Sequence, residues 1–367
     1  MKKVLIIAYN DLNNSGVPNV IYQTIKALHK EYSFDVLVFG NDDYYRQKLR
    51  NEGIEINLIR YIEKKPKSKL ARVFWWFYKR PRGHYLFTKK LLKENAYLVV
   101  HSFKEYDCWS FFKAAKKAGI NKRIFHCSVN LAIDKKAKDK FLKYRNRRLS
   151  LRYANVFVGV SELSCKNAFR NKKYTVLHNS YDEQKYNMNI KNKLSDDELV
   201  ITHVASYSDN KNQLFSLQVL KELKKLHENT RLNLVGASGI TPYCQKLIDY
   251  VKTNDLEKDV SFIDKSDSVE RIYEKTTFVI IPSLREGFSL VAIEAQACGI
   301  ELFASSNVPK EIDCGGAMFI ELSKGPVFWA KEIYDKYLHE GNVRALLETN
   351  IFSFNRFKAD LVTLYKL

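Results

Sequence analysis

Short apolar runs alternate with amphipathic segments along most of the chain. An apolar run with few charges is typical of a strand buried on both faces of a parallel sheet, and an apolar residue at every third or fourth position predicts a helix. Predicted strands lie in KVLIIAY, FDVLVFG, YLVVHSF, KRIFHCSV, ANVFVGVS, LVITHVAS, TRLNLVGAS, DVSFI, FVIIPS and ELFAS. Predicted helices lie in VIYQTIKALHK, CWSFFKAAKKAG, QLFSLQVLKELKKLHEN, PYCQKLIDYVKTN, SVERIYEKT and LVAIEAQAC. This order predicts parallel sheets with helices on both faces.

A polar segment interrupts the alternation near the middle of the chain. NMNIKNKLSDDE, which begins at Asn187, has no apolar periodicity, and the strand and helix patterns resume after it. The chain of 367 residues is also longer than one ordinary domain. We therefore predict two doubly wound, Rossmann-like α/β domains, at residues 1–185 and 186–367, with a ligand cleft between them. The last helix is expected to pack either in the second domain or back against the first.

Positive charge is concentrated in the first half of the chain. Residues 1–185 hold 39 Lys and Arg against 16 Asp and Glu, whereas residues 186–367 hold 22 against 25. Lys64 to Lys93 contains eleven basic residues, no acid and a run of five aromatic residues, and Lys135 to Arg152 contains nine basic residues and one acid. These clusters predict an anionic membrane surface as partner, with nucleic acid less favoured because no nucleic-acid module is present. The alternative is a solvated basic face with its aromatic side chains in the core.

The cysteines and the apolar segments argue against several classes of protein. Six cysteines are scattered without a CxxC pair, which disfavours a disulfide framework or a structural zinc site and fits a reducing compartment. The apolar run in MKKVLIIAYND is too short for a signal peptide, and no segment reaches the roughly 18 apolar residues that a membrane-spanning helix needs. We therefore expect a cytoplasmic protein.

One stretch, PSLREGFSLVAIEAQACG at residues 282–299, combines a strand end, a glycine turn and a helix start. The preceding apolar run delivers it to the carboxyl edge of the predicted sheet, where ligands bind in such folds. Ser289 is a favourable N-cap, and the helix is predicted to end at Gly299. Backbone N–H groups of the first helical turn, with Gly287 allowing close approach, suit an anion such as a phosphate.

Two carboxylates flank the start of this predicted helix. Glu286 lies just before the helix, and Glu294 lies more than a turn inside it. Ionised carboxylates only accept hydrogen bonds, so the two groups suit two sets of hydroxyls, as a sugar attached to a nucleotide offers. The alternative is an ordinary helix, with a solvated Glu294 and with Glu286 in a loop.

Residues 282–299 closely resemble the signature of the retaining glycosyltransferase family 4, the glycosyltransferases group 1 domain, in which seven residues separate two Glu residues. The resemblance extends over nearly the whole chain. Supporting similarity lies in KKVLIIAYNDLNNSGVPNVIYQTIKAL, KRIFHCSVN, VFVGVSELSCKNAF, VLHNSYDEQKY, VASYSDNKNQLFSLQVLKEL, RLNLVGAS and DVSFI. It implies a GT-B fold, in which two Rossmann-like domains enclose a cleft.

This resemblance implies a retaining, metal-independent hexosyltransferase without a cofactor. The enzyme is expected to move a sugar from a nucleotide-diphosphate donor, with a UDP-sugar favoured, to a saccharide or lipid-linked saccharide. Its product would belong to cell-surface polysaccharide, such as capsule or exopolysaccharide, or to glycolipid. The first domain is expected to bind the acceptor at the inner face of the cell membrane, as a peripheral protein, and the second domain to bind the nucleotide-sugar.

The resemblance also implies roles for residues of the second domain. Glu286 would contact hydroxyls of the donor sugar, and Glu294 would hold the ribose hydroxyls. Lys211 would bind the diphosphate and offset the charge on the departing nucleotide. Three further residues would present backbone N–H groups to the sugar and the diphosphate: Gly287, Phe288 and Ser289.

The first domain receives two roles in the same way. Gly16 would let the first loop approach the diphosphate, and His126 would face the reacting centre near the donor sugar. One departure from the family pattern is Ser206, which stands where many members carry an Arg that binds phosphate. Ser206 is still placed among the donor-binding residues, and Arg285 is the candidate to replace the missing cation.

Each assignment has an alternative. His126 on an apolar strand is more often a satisfied core histidine, Gly16 serves a turn, and Lys211 forms a solvated ion pair with Asp209. His101, on a neighbouring predicted strand, is expected to be structural or to support the site indirectly. The departure from the family pattern also favours a second function, that of a catalytically weak GT-B accessory protein that binds a membrane or a partner enzyme.

Overall fold

The computed structural model describes residues 1–128, 137–186, 197–237, 239–264, 268–341 and 347–366. The chain forms two compact units, an N-terminal unit of Met1–Asn179 with Phe354–Leu367 and a C-terminal unit of Ser180–Ser353. The predicted division after residue 185 lies six residues beyond the observed one. Most of the predicted linker, residues 187–196, lies outside the described residues.

Seven parallel strands form the sheet of the N-terminal unit, in the order β3-β2-β1-β4-β5-β6-β7. They are β1 (Lys2–Ile7), β2 (Tyr32–Val38), β3 (Asn57–Arg60), β4 (Tyr97–Ser102), β5 (Lys122–Cys127), β6 (Val156–Gly159) and β7 (Thr175–Val176). The central strand shows why its apolar run is continuous. Val4 and Ile6 pack into one hydrophobic cluster, and Leu5 and Ile7 pack into another. Because successive side chains of a strand point to opposite faces, both faces of this sheet are covered.

Helices connect these strands. They are α1 (Gly16–Leu28), α2 (Tyr44–Asn51), α3 (Lys69–Phe74), α4 (Arg80–Glu94), α5 (Trp109–Lys117), α6 (Ala137–Tyr153) and α7 (Glu162–Phe169). A π-helical turn, Trp75–Lys79, joins α3 to α4, and a short 3₁₀ helix, Glu105–Cys108, precedes α5. Among the described helices of the chain, none is long and apolar enough to cross a membrane.

The C-terminal unit repeats the architecture with six parallel strands in the order β10-β9-β8-β11-β12-β13. They are β8 (Leu199–Val204), β9 (Thr230–Ala237), β10 (Val260–Asp264), β11 (Phe278–Ile281), β12 (Leu302–Ser305) and β13 (Ala317–Ile320). The helices are α8 (Glu183–Tyr186), α9 (Gln213–Leu226), α10 (Pro242–Thr253), α11 (Val269–Tyr273), α12 (Leu290–Ala297) and α13 (Gly325–Glu340). The prediction of two doubly wound parallel α/β units is confirmed.

The strand order reverses once in each sheet, between β1 and β4 and between β8 and β11. At such a reversal the loops that leave the two neighbouring strands turn to opposite faces and leave a crevice at the carboxyl edge. In the C-terminal unit these are the β8 loop, residues 205–212, and the β11 loop, residues 282–289. Each sheet therefore has one favoured place for a ligand.

The last helix, α14 (Phe354–Tyr365), belongs to the N-terminal unit. Leu361 and Tyr365 are fully buried in the same hydrophobic cluster as Val4 and Ile6. The hydroxyl of Tyr32 also donates to the carbonyl of Tyr365 at 3.3 Å. This helix thus completes the core of a unit whose other residues precede it by more than 170 positions.

We predict that Leu361→Ala destabilises the N-terminal unit by about 2–5 kcal/mol, because it leaves a cavity in that core. Urea unfolding measures the change in the free energy of unfolding. Hydrogen exchange of the folded protein should show lost protection in β1 and β4. The exposed Thr363→Ala on the same helix is the matched control and should change stability little. An equal loss of protection in β8 and β11 would contradict the packing of α14 in the N-terminal unit.

Candidate functional site

The β8 loop and the β11 loop are joined by hydrogen bonds to backbone carbonyls. The N–H of Leu284 donates to the carbonyl of Asn210 at 2.8 Å. The side-chain amide of Asn210 donates to the carbonyl of Arg285 at 2.9 Å, and that of Asn212 donates to the carbonyl of Pro282 at 3.2 Å. Asn212 has a φ of 61°, a left-handed conformation that Asn tolerates better than most residues. These bonds hold the two loops in one arrangement.

Lys211 and Glu286 form an ion pair between the two loops. The Lys211 ammonium donates to the Oε1 atom of Glu286, which also accepts a hydrogen bond from the hydroxyl of Ser283 at 2.9 Å. Glu286 is only 8% exposed, and Lys211 is half-buried. The structure therefore brings together two residues that the sequence assigned to one site, and Lys211 pairs with Glu286 where the alternative had named Asp209.

The helix α12 begins where the sequence predicts. The hydroxyl of Ser289 accepts a hydrogen bond from the backbone N–H of Ala292 at 3.3 Å and so caps the helix. Gly299, beyond the other end, has a φ of 69°, which suits glycine. Phe288 is buried, and its ring meets that of Phe352 edge-on with centroids 5.6 Å apart. Because Phe288 is anchored in this way, the backbone of Gly287, Phe288 and Ser289 is held at the crevice.

Glu294 lies on α12, where three charged side chains act on its carboxyl. Burial raises the pKa of its carboxyl to about 7; the charge of Lys185 opposes this shift, whereas Asp182 and Glu270 add to it. Lys185 is itself paired with Glu270 at 3.3 Å, so its charge is shared. Glu294 is therefore not the solvated side chain of the alternative interpretation, and within the described residues it forms no ion pair.

Ser206 is exposed at the start of the β8 loop, and its carbonyl accepts a hydrogen bond from the side chain of Gln213 at 3.1 Å. Arg285 is also exposed, while its carbonyl is held by Asn210. The structure therefore keeps both side chains at the surface, in the two loops that carry Lys211 and Glu286. The place of Ser206 in the donor site and the role of Arg285 as a phosphate-binding cation stay predictions.

Gly236 is a positioning residue that the sequence analysis missed. It is the last residue but one of β9, with a φ of 120°, and a Cβ atom at this position would lie 2.3 Å from the carbonyl oxygen of Ala205. Only glycine allows the end of β9 to approach the β8 loop so closely. The signal was available as the glycine that follows the apolar run RLNLV.

The N-terminal unit has a pocket of about 160 Å³ at its own strand reversal. The lining residues come from the loops after β1, β4 and β5 and from the start of α1: Tyr9, Val17, Phe103, Glu105 and Ser128. Gly16 begins α1 beside this pocket, and a Cβ atom added there would meet no atom within 4 Å. Packing within the unit therefore does not require a glycine, and the predicted role of Gly16 toward a ligand stays a prediction.

His126 is fully buried at the end of β5 and is only half satisfied. Its Nδ1 atom lies 3.2 Å from the Nε2 atom of His101, and the ring of Phe103 is 4.6 Å away. Its own Nε2 atom has no hydrogen-bond partner among the residues that the structure describes. Burial lowers the pKa of His126 to about 3, which keeps the ring neutral at physiological pH. The alternative of a satisfied core histidine therefore fits the Nδ1 atom, which has a hydrogen-bond partner, and does not fit the Nε2 atom.

Glu105 is a second residue that the sequence analysis missed. It lines the pocket and has a φ of 39°, a strained conformation for a residue with a Cβ atom. Burial and the charge of Asp107 raise the pKa of its carboxyl to about 6, against the opposing charges of Lys143 and Lys104. The available signal was a carboxylate three positions after the end of a strongly apolar strand.

Within the described ranges, no group of three or more His, Cys, Asp and Glu side chains is arranged to hold a metal ion. The expectation of a reaction without a metal stays a prediction.

Comparisons with known proteins connect this geometry to a family. The family model for glycosyl transferases group 1 matches residues 184–311, which include the β8 loop, the β11 loop and α12. CapH of Staphylococcus aureus, a capsular polysaccharide biosynthesis glycosyltransferase, is 24% identical over 100% of this chain and 99% of its own length. EpsF of Bacillus subtilis (strain 168) is 24% identical over 90% of this chain and 87% of its own.

Solved structures share the fold. HepE from Anabaena, determined in complex with UDP and glucose, aligns with 100% of this chain and 100% of its own, with a TM-score of 0.78 and 15% identity. TarM aligns with 100% of this chain and 99% of its own, with a TM-score of 0.75 and 11% identity. The likeness to HepE identifies the fold of the two units as GT-B.

We predict that Glu294→Gln raises the Tm of the ligand-free protein at pH 8 by about 2–4 °C. The folded protein retains a proton on Glu294 that the unfolded chain releases between pH 4.5 and about 7. The stability that this site contributes is therefore present below pH 4.5 and lost as the pH rises through about 7. Glutamine removes the buried charge and with it this loss.

Thermal unfolding at pH 5 and pH 8 measures the effect, with the exposed Glu228→Gln as control. The difference between Glu294→Gln and the parent protein should be largest at pH 8 and should shrink at pH 5. A lower Tm for Glu294→Gln at pH 8 would contradict the environment assigned to Glu294.

Proposed function

Since this chain carries a glycosyl transferases group 1 domain on a GT-B fold, we propose that it is a retaining glycosyltransferase of cell-surface polysaccharide or glycolipid synthesis. The donor is a nucleotide-diphosphate sugar, with a UDP-sugar favoured, and the acceptor is a saccharide or a lipid-linked saccharide. The name of CapH supports the polysaccharide class, and the UDP bound by HepE supports the nucleotide.

The observation that carries this proposal is the Lys211–Glu286 pair at the strand reversal of the C-terminal sheet. A bound nucleotide-sugar can replace this ion pair, because it provides a new partner for Lys211 and another for Glu286. Its diphosphate replaces Glu286 as the anion beside Lys211, and its sugar hydroxyls donate to the carboxylate that this exchange releases. Glu294, eight positions further along, accepts from the ribose hydroxyls.

The remaining predicted contacts complete the donor site. Backbone N–H groups of residues 287–289, at the start of α12, approach the diphosphate, where the positive end of the helix dipole favours an anion. Arg285 supplies the cation that Ser206 lacks. Gly16 and His126 of the N-terminal unit stay predicted contacts of the same donor.

In the reaction that we propose, the bond between the anomeric carbon and the diphosphate oxygen breaks, and its electron pair leaves with the nucleotide. Lys211 and the start of α12 stabilise the developing charge. The acceptor hydroxyl attacks from the same face, so the anomeric configuration is kept, and its proton passes to the departing phosphate oxygen. These groups supply the charge stabilisation, so no metal or cofactor is assigned a step.

We predict that Glu286→Gln lowers kcat for sugar transfer by at least about 100-fold, because the amide loses the charge that fixes the donor sugar. The fold should be retained, and UDP should still raise the Tm through Glu294 and Lys211. Transfer is measured with radiolabelled UDP-sugars, with the exposed Glu257→Gln of the same unit as control.

Unchanged turnover in Glu286→Gln would refute the assigned site. A parent protein that binds UDP but transfers no sugar from any donor would favour the second candidate, a GT-B accessory protein of low activity. The exposed Ser206, in the place of a phosphate-binding Arg, is the observation that keeps this candidate open.

A second part of the proposal concerns the basic face of the N-terminal unit, formed by α3, the π-helical turn and α6. Four apolar side chains on the first two elements are exposed, among them Leu70 at 86% and Tyr78 at 65%. The other two are Val73 and Phe74. The segment from Lys64 to Lys93 that carries them has no acidic residue. Exposed apolar groups surrounded by cations suit the interface of an anionic membrane.

The run of five aromatic residues is exposed only in part. Trp75 is buried and the guanidinium of Arg80 lies 4.2 Å from the Trp76 ring, whereas Phe74 and Tyr78 are exposed. The guanidinium of Arg145 on α6 lies 4.8 Å from the ring of Phe77. The two basic clusters of the sequence therefore adjoin. We propose that this face binds the inner leaflet of the cell membrane and places the protein there as a peripheral cytoplasmic enzyme.

We predict that the double substitution Phe74→Ser with Tyr78→Ser weakens binding to vesicles of phosphatidylglycerol and phosphatidylcholine by about 10-fold or more, because two apolar groups no longer enter the interface. Co-sedimentation measures the bound fraction. Ile240→Ser, an exposed apolar position of the C-terminal unit, is the control. Equal binding to pure phosphatidylcholine would contradict the role of anionic lipid.

A further inference from the structure

Three fully buried polar side chains form a line of hydrogen bonds in the N-terminal unit. The hydroxyl of Tyr365, on α14, lies 2.7 Å from the Nδ1 atom of His101, on β4. The Nε2 atom of His101 lies 3.2 Å from the Nδ1 atom of His126, on β5. The two imidazole rings are nearly parallel, at 9°, and the ring of Phe103 lies within 4.6 Å of both. The rings are therefore held in fixed orientations.

The direction of these hydrogen bonds follows from the protons that are available. Burial raises the pKa of Tyr365 far above its usual range, and it lowers the pKa of both histidines. Tyr365 therefore keeps its proton, and each imidazole carries only one. A buried hydroxyl proton needs an acceptor, and the acceptor that the described residues provide is the Nδ1 atom of His101.

Each proton position then determines the next. Because Nδ1 of His101 accepts from Tyr365, the single proton of His101 lies on Nε2 and is donated to Nδ1 of His126. The single proton of His126 consequently lies on its own Nε2 atom. That atom is buried and has no partner within the described part of the chain.

We propose that Tyr365 is a positioning residue which, through His101, holds His126 as the tautomer protonated on Nε2, so that this atom is a hydrogen-bond donor to a ligand oxygen. A neutral donor of this kind polarises or orients an oxygen and does not remove a proton from it. The identity of the ligand as a sugar rests on the proposed function, whereas the tautomer does not. Phe103 and Ser128, which is two residues beyond His126, both line the pocket of this unit.

Nitrogen NMR of the full-length protein labelled at its eight histidines tests the tautomer without any need for activity. Long-range proton–nitrogen correlations show which ring nitrogen carries the proton, and His126→Gln and His101→Gln spectra assign the two signals. We expect Nε2 to be protonated in both rings. A proton on Nδ1 of His126 would overturn the proposal.

The variant Tyr365→Phe removes the hydroxyl and keeps the ring. His101 then loses the bond that orients it, and the two nitrogen shifts of His126 should move toward each other as both tautomers become populated. Tyr32→Phe is the matched control, because the Tyr32 hydroxyl contacts the same helix through the carbonyl of Tyr365 and lies outside the line. A His126 spectrum that is unchanged in Tyr365→Phe would show that Tyr365 does not position it.

Sugar transfer provides the second measurement. Each protein is assayed the same number of degrees below its own Tm. Tyr365→Phe is expected to lower kcat about 10-fold while UDP still raises the Tm. Tyr32→Phe should leave kcat within about 2-fold of the parent. Equal losses of kcat in both variants would overturn a positioning role and indicate a structural one. A protein with the expected tautomers and no transfer from any donor would contradict the proposed function and leave the arrangement of the histidines intact.

Discussion

The geometry of this protein depends on how a parallel sheet distributes its loops. All strands end at the same edge, and only where the strand order reverses do neighbouring loops separate and leave space for a ligand. This constraint places Lys211 and Glu286, 75 residues apart in sequence, in direct contact. It also places the pocket of the N-terminal unit between the ends of β1, β4 and β5. The candidate residues of each unit thus gather at the one edge position that the topology leaves open.

Burying a carboxylate without a partner is unfavourable, and a site without its ligand must avoid this cost. The two carboxylates on and before α12 solve this problem differently. Glu286 is paired with a cation and a hydroxyl, whereas Glu294 is shielded enough for its pKa to rise to about 7. Both arrangements avoid a buried, unpaired negative charge. Under the proposed function, hydroxyls of the donor would donate to both carboxylates, and binding would be linked to the release of the Lys211–Glu286 pair.

Much of the fold could be predicted because the central strands are buried on both faces. Their apolar runs, such as Val4 to Ile7, cannot be mistaken for an exposed strand. The short edge strand β3 was missed because its four residues are exposed or half-buried and leave no such run. The helix α12 was predicted closely, since its cap Ser289 and its terminating Gly299 are local features.

The residues that sequence reasoning missed are important because of contacts with residues that are distant in the sequence. Gly236 matters because its backbone lies close to the carbonyl of Ala205, and Glu105 matters because it lines a pocket together with residues of other loops. Neither relation leaves a periodic trace in the sequence. The ion pair of Lys211 with Glu286 was likewise invisible, although both residues had been assigned to one site by their motif. Local patterns therefore identified the elements and many candidate residues, and the fold was needed to show which of them touch.

The line from Tyr365 to His126 shows how a fold can create a binding group from distant parts of a chain. Tyr365 and His101 are 264 residues apart, and they meet only because α14 completes the core of the N-terminal unit. In an apolar core each donor needs an acceptor. A hydroxyl followed by two neutral imidazoles uses its donors and acceptors in order and leaves one N–H at the far end. Tyr365 and the two imidazoles each hold one proton, and together these protons place the remaining N–H on Nε2 of His126. Its position therefore depends on all three side chains.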